Sequence, residues 1–245
     1  MTCGAFAVLA SVDLPRDFRE IDVLPWSGCR EPFSSFSHLL GAAVFAVLAY
    51  GLIRRGRGDW IRVISLAAFA ACSVELLLVS GLYHVFWPGP TREFMLRLDV
   101  ASIFFLIAGS MTPVHAILFR GPGRWLPLIL VWLVAVSGVL WRVLFSVGTP
   151  GPTGIAFFLL FGWGSAITAV VIWYRFGWQF IQPAVWSGLS YTIGAIGLIL
   201  HRPNPIPGWI GPHEVWHVAV LIALGLQWVF IARFASGQIP PRIER

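Results

Sequence analysis

The chain has 245 residues, 58% of them hydrophobic and only 11% charged, with a mean hydropathy of +0.80. Those values exclude an ordinary soluble domain and read as an integral membrane protein. The net charge of +6 comes from 17 arginines that cluster between apolar runs, so they read as loop charges that set topology and exclude nucleic acid as a partner.

Residues 1–32 are of mixed polarity. The apolar stretch from Ala5 to Val12 is short and has no basic residue before it, so it reads as part of an amino-terminal tail and not as a cleaved signal peptide. Seven apolar runs follow, at approximately 33–53, 60–86, 98–119, 125–145, 154–174, 183–201 and 212–234. Each is near the ~20 residues that one helical crossing of the hydrocarbon needs. Arg54-Arg55-Gly56-Arg57-Gly58-Asp59 ends the first, Trp87-Pro88-Gly89-Pro90 the second, and Arg120-Gly121-Pro122-Gly123-Arg124 the third. Glycine and proline stop helices and arginine prefers water. Trp26, Trp60, Trp87, Trp125 and Trp209 fall near run ends, as an interfacial aromatic belt would. The runs are twice the length of a barrel strand and do not alternate, which excludes a β-barrel. The expectation is an all-α membrane protein, a seven-transmembrane-helix bundle over 33–234 with a carboxy-terminal tail at 235–245, in the plasma membrane.

Seven crossings put the amino-terminal tail and the loops after runs 2, 4 and 6 on one side of the membrane. On that side Ser80 and His84 close the second run, Asp99 opens the third, and His213 and His217 open the last. Residues four apart share a helix face, so three helices can present polar groups to one point. A lone imidazole is ordinarily a satisfied polar residue. Here three of the six histidines and a span-embedded carboxylate share one depth, and burying them together without a ligand is costly. Three neutral imidazoles, His84, His213 and His217, with an open fourth position suit Zn2+ better than calcium or magnesium, although other transition metals fit the same ligands. Asp99 would orient or deprotonate a water at the open position, or else ligate the ion directly, and Ser80 would hydrogen-bond the water or a developing oxyanion. Glu214 is turned about 100° from the histidine face and is not read as a base.

The remaining polar groups in the spans divide by position. Glu75 lies nine residues before His84, about 180° around the helix and ~13 Å deeper, which excludes it as a ligand and leaves an ion pair, with Arg142 as candidate partner, or a protonated carboxyl. His115 lies towards the opposite face and reads as structural. His38 and His201 are on the site side, where they could support the ligands from behind.

Leu82-Tyr83-His84, then Leu98-Asp99 through Ser102 to Ile107-Ala108-Gly109-Ser110-Met111-Thr112-Pro113, and His213-Glu214-Val215-Trp216-His217 resemble the hemolysin III group. That group belongs with the progestin and adipoQ receptors, which resemble the alkaline ceramidases. The resemblance spans all seven runs, and Glu31 to Gly41, with His38, is similar to the family's opening. Val100 and Met111 depart from residues common in relatives, histidine and tyrosine, without removing a ligand. The resemblance implies a seven-helix fold, a zinc ion on three histidines and, in the ceramidase and adiponectin-receptor branches, intramembrane lipid amidase activity.

Three functions are open on the sequence: a zinc-dependent hydrolase of an amide or ester bond in a membrane lipid, a receptor or membrane-homeostasis sensor with a structural zinc, and a pore-forming hemolysin. A hydrolase needs an apolar slot, for which the fifth run, with Phe157, Phe158, Phe161, Gly162 and Gly164, is the expected wall. The arginine-dense first loop places the site outside by the positive-inside rule. Resemblance to the alkaline ceramidases implies the same side, and to the adiponectin receptors the reverse.

Overall fold

The computed structural model describes residues 23–26, 28–145 and 151–241, so most of the amino-terminal tail expected over 1–32 lies outside the described residues. The described chain is helical, with three isolated bridges in the loops. Its helices are α1 (Pro32–Arg55), α2 (Trp60–Val85), α3 (Pro90–Leu118), α4 (Pro122–Phe145), α5 (Pro152–Trp163), α6 (Ala166–Phe176), α7 (Trp178–Ile199) and α8 (Pro212–Ala232). Prolines open α1, α3, α5 and α8, where the missing N–H has no ladder partner to lose. Asp59 caps α2 by accepting from the N–H groups of Ile61 at 2.8 Å and Arg62 at 3.2 Å.

Three runs differ from their expected form, the third by opening at Pro90 instead of near residue 98. The fifth is two helices, because the chain breaks at Gly164–Ser165, where the Ser165 hydroxyl donates to the Gly162 carbonyl at 2.7 Å. The sixth begins earlier than expected, at Trp178, since Pro183 is accommodated inside α7. Among the described residues, six stretches are long and apolar enough to cross a membrane, with Pro152–Phe176 counted as one. α7 has 22 residues, but Gln179, Gln182, Ser187, Ser190 and Thr192 dilute its apolar character and it is not among the six.

The order of packing follows from pairs along the helices. α1 runs antiparallel to α2, with Glu31 beside His84 and Leu39 beside Gly81. α2 runs antiparallel to α3, with Tyr83 beside Arg92 and Cys72 beside Gly109. α8 returns alongside α1, where Ser34 meets Glu214 and Arg55 meets Ala232. α7 lies antiparallel to α8: Arg233 donates to the Phe180 carbonyl at 3.0 Å, and the Ser190 hydroxyl donates to the Ala219 carbonyl at 2.9 Å. Gly177, with φ 82°, makes the one-residue turn between α6 and α7, a conformation that costs glycine little. α4 packs on α3.

Leu66, Phe69, Leu77, Leu224, Ile231 and Phe234 are fully enclosed between α1, α2, α7 and α8. Outward residues such as Val47, Leu160 and Ile167 are more than 70% exposed, a lipid-facing surface that would be an association patch in water. The five tryptophans expected at the interfaces are all exposed.

Candidate metal centre

The last turn of α2 and the first two turns of α8 bring three imidazoles together. His84 is fully buried and His217 is 2% exposed. The Nε2 atom of His213 lies 3.4 Å from that of His84 and 3.1 Å from that of His217. All three donor atoms fall within 4.8 Å of one another, and the group could hold a metal ion. Tetrahedral Zn–N bonds of ~2.1 Å place ligand nitrogens about 3.4 Å apart, close to the two separations from His213.

Behind His84 stands a residue to which the sequence reading assigned no role. The Glu31 carboxylate contacts Nδ1 of His84, on the far side of the ring from the other histidines. The Glu31 N–H also donates to the His84 carbonyl at 3.1 Å. Arg92 donates to the other Glu31 oxygen at 2.7 Å, and Arg30 at 3.3 Å. Arg92 is itself held by the Phe86 carbonyl at 2.6 Å and lies over the Tyr83 ring, 4.3 Å from its centroid. Burial pushes the Glu31 carboxyl up, but the His84 hydrogen bond and the Arg92 charge outweigh it and hold the group well below the usual carboxylate range. The signal available in sequence was an acid directly before Pro32, at the mouth of an apolar run and facing the site.

Other polar residues sort as their positions suggest. Glu214 turns away from the imidazoles, accepts from the Ser34 hydroxyl at 2.9 Å and from the Gly211 N–H at 3.0 Å, and so closes the first turn of α8. His38 on α1 packs against His217 with tilted rings whose centroids are 3.9 Å apart. His115 is at the other end of the bundle, bonded to the Gly123 carbonyl at 2.9 Å and the Thr168 hydroxyl at 3.1 Å. His201 is exposed on the α7–α8 loop. Asp99 lines the same cavity as His213 and His217 and lies within electrostatic reach of Arg142 and Glu75.

A cavity of 890 Å³ runs from this group into the bundle between α2, α3, α5, α6, α7 and α8. Ser80, Asp99, His213 and His217 line its site end, and Ile107, Val114, Ile181 and Phe230 line its depth. Of the expected α5 wall, Phe158 and Gly162 face the cavity. The Phe157 and Phe161 rings lie 6.0 and 6.1 Å from that of Phe104 on α3, the cluster that holds α5 to the bundle.

The chain is 24% identical to Hemolysin-3 of Bacillus cereus over 190 residues, 77% of this chain and 84% of that protein. It is 25% identical to the Hemolysin-3 homolog of Bacillus subtilis (strain 168) over 159 residues, 65% of this chain and 71% of that protein. Residues 27–228, from just before Glu31 to Trp228 on α8, match the haemolysin-III related family, to which this membrane protein belongs.

Proposed function

We propose that this protein is an intramembrane hydrolase in which His84, His213 and His217 hold Zn2+ and the substrate is an amide or ester of a membrane lipid. The observation that carries the reading is the 890 Å³ cavity, which meets His213 and His217 at one end and is predominantly apolar along its depth. Such a shape takes an acyl chain and leaves its polar head at the imidazoles. Bound zinc supplies Lewis acidity and lowers the pKa of a water towards neutrality. Asp99, at the same end of the cavity, takes up a proton from the attacking water and passes it to the leaving group. Ser80 donates a hydrogen bond to the carbonyl oxygen as charge develops there. α7 crosses the plasma membrane as a seventh span, because it joins the far end of α6 to the loop whose Gly208 carbonyl accepts from Leu24 beside the site at 2.7 Å.

The relatives' name points to cell lysis, but ion or solute conduction needs a polar stripe, and Ile107, Val114, Ile181 and Phe230 favour a lipid. The test is to incubate the purified protein in nanodiscs with ceramides and with acyl esters and measure released fatty acid by mass spectrometry. Release that stops on chelation, returns with zinc and is lost in His217→Ala is expected. Zinc-replete protein that releases no fatty acid but empties dye-loaded vesicles would replace this reading with a pore.

A further inference from the structure

We propose that Glu31 is the positioning residue of the three-histidine group, holding His84 by Nδ1 so that Nε2 faces the metal, with Arg92 fixing the carboxylate in turn. An imidazole offers a lone pair at Nε2 only when its proton is on Nδ1, and a carboxylate beside Nδ1 stabilises that tautomer. Glu31 is the residue beside that nitrogen, and its second oxygen accepts from Arg92 at 2.7 Å. Arg92 is not free to swing away: it is buried and donates to the Tyr83 carbonyl at 3.3 Å and the Phe86 carbonyl at 2.6 Å, the negative end of α2. The Glu31 N–H adds a main-chain tie to the His84 carbonyl at 3.1 Å. One residue at the opening of α1 therefore grips both the backbone and the ring of a ligand on α2.

His213 and His217 share α8 and keep their spacing by helix geometry. His84 arrives from another helix, so its ring angle depends on what stands behind it. A carboxylate there also supplies negative charge opposite a divalent ion in a low-dielectric setting, and loss of such a partner typically costs ~10–100-fold in metal affinity. This inference rests on the metal-binding part of the proposed function and not on hydrolysis.

The experiment compares full-length wild type, Glu31→Gln, Glu31→Ala and Arg92→Met, each stripped of metal and titrated with Zn2+ against a chromogenic chelator. The visible spectrum of the Co2+ form and the thermal midpoint of the metal-free protein are recorded beside it. Glu31→Gln keeps the side-chain size but loses the charge and turns an amide N–H2 towards His84 or Arg92. The expected result is a zinc affinity lowered by about 10–100-fold in Glu31→Gln, a smaller loss in Arg92→Met, an altered Co2+ spectrum and an unchanged metal-free midpoint. Wild-type affinity with a wild-type Co2+ spectrum in both Glu31 variants overturns the proposal. So does a fall in the metal-free midpoint that accounts for the whole loss of affinity. A wild type that binds no transition metal overturns this proposal together with the zinc site, whereas one that binds zinc but hydrolyses no lipid overturns the proposed function alone.

Discussion

Gly194 on α7 is where the packing of the bundle and the geometry of the metal group meet. A methyl added there would lie 2.6 Å from Cβ of Ala219 and 3.0 Å from Cε3 of Trp216 on α8. Carbon atoms rest at ~3.5–4.0 Å, so Gly194→Ala requires the two helices to part by about 1 Å. Trp216 and Ala219 flank His217, and the displacement is carried directly to a ligand whose bond length tolerates only about 0.2 Å. Overpacking of this kind costs ~1–3 kcal/mol. Expressed through the metal site, that is a roughly 5- to 150-fold loss of zinc affinity. Competition titration reads the loss, and the second-site change Ala219→Gly, which removes the opposing methyl, should recover most of it. Wild-type affinity in Gly194→Ala, or a double variant no better than the single one, would refute the coupling between helix spacing and the ligands.

His84→Ala should abolish the one zinc per chain that elemental analysis is expected to find in the wild type. Asp99→Ala should keep the zinc and lose fatty-acid release; loss of metal as complete as in His217→Ala would make Asp99 a ligand and favour a structural ion. Gly162 lines the cavity with open space around its Cα, so Gly162→Leu should leave zinc content and thermal stability intact while slowing lipid turnover. Undiminished turnover in that variant would mean that the acyl chain lies elsewhere. His115→Ala removes bonds to Gly123 and Thr168 at the far end of the bundle and should cost about 1–3 kcal/mol of stability with no change in zinc content.

The membrane class, the helical architecture and the grouping of His84, His213 and His217 were legible in the residues alone. Apolar runs of spanning length admit few folds, because backbone groups in hydrocarbon must be bonded within their own segment. Counting crossings then gives the side and depth of every polar residue, and i, i+4 spacing gives its face. Depth and side are one-dimensional quantities, and they sufficed to bring three imidazoles together. They did not reveal which residue stands behind a ring, how wide a gap is left between helices, or where a helix breaks. Glu31 reaches His84 only because α1 lies antiparallel to α2, and Arg92 reaches Glu31 because α3 packs on the other side of Tyr83. The cavity depends on α5 touching the bundle through the Phe104 cluster, while Phe158 and Gly162 face inwards. Those features arise from the rotation of each helix about its axis and from contacts between side chains far apart in the chain, and tertiary packing alone sets both.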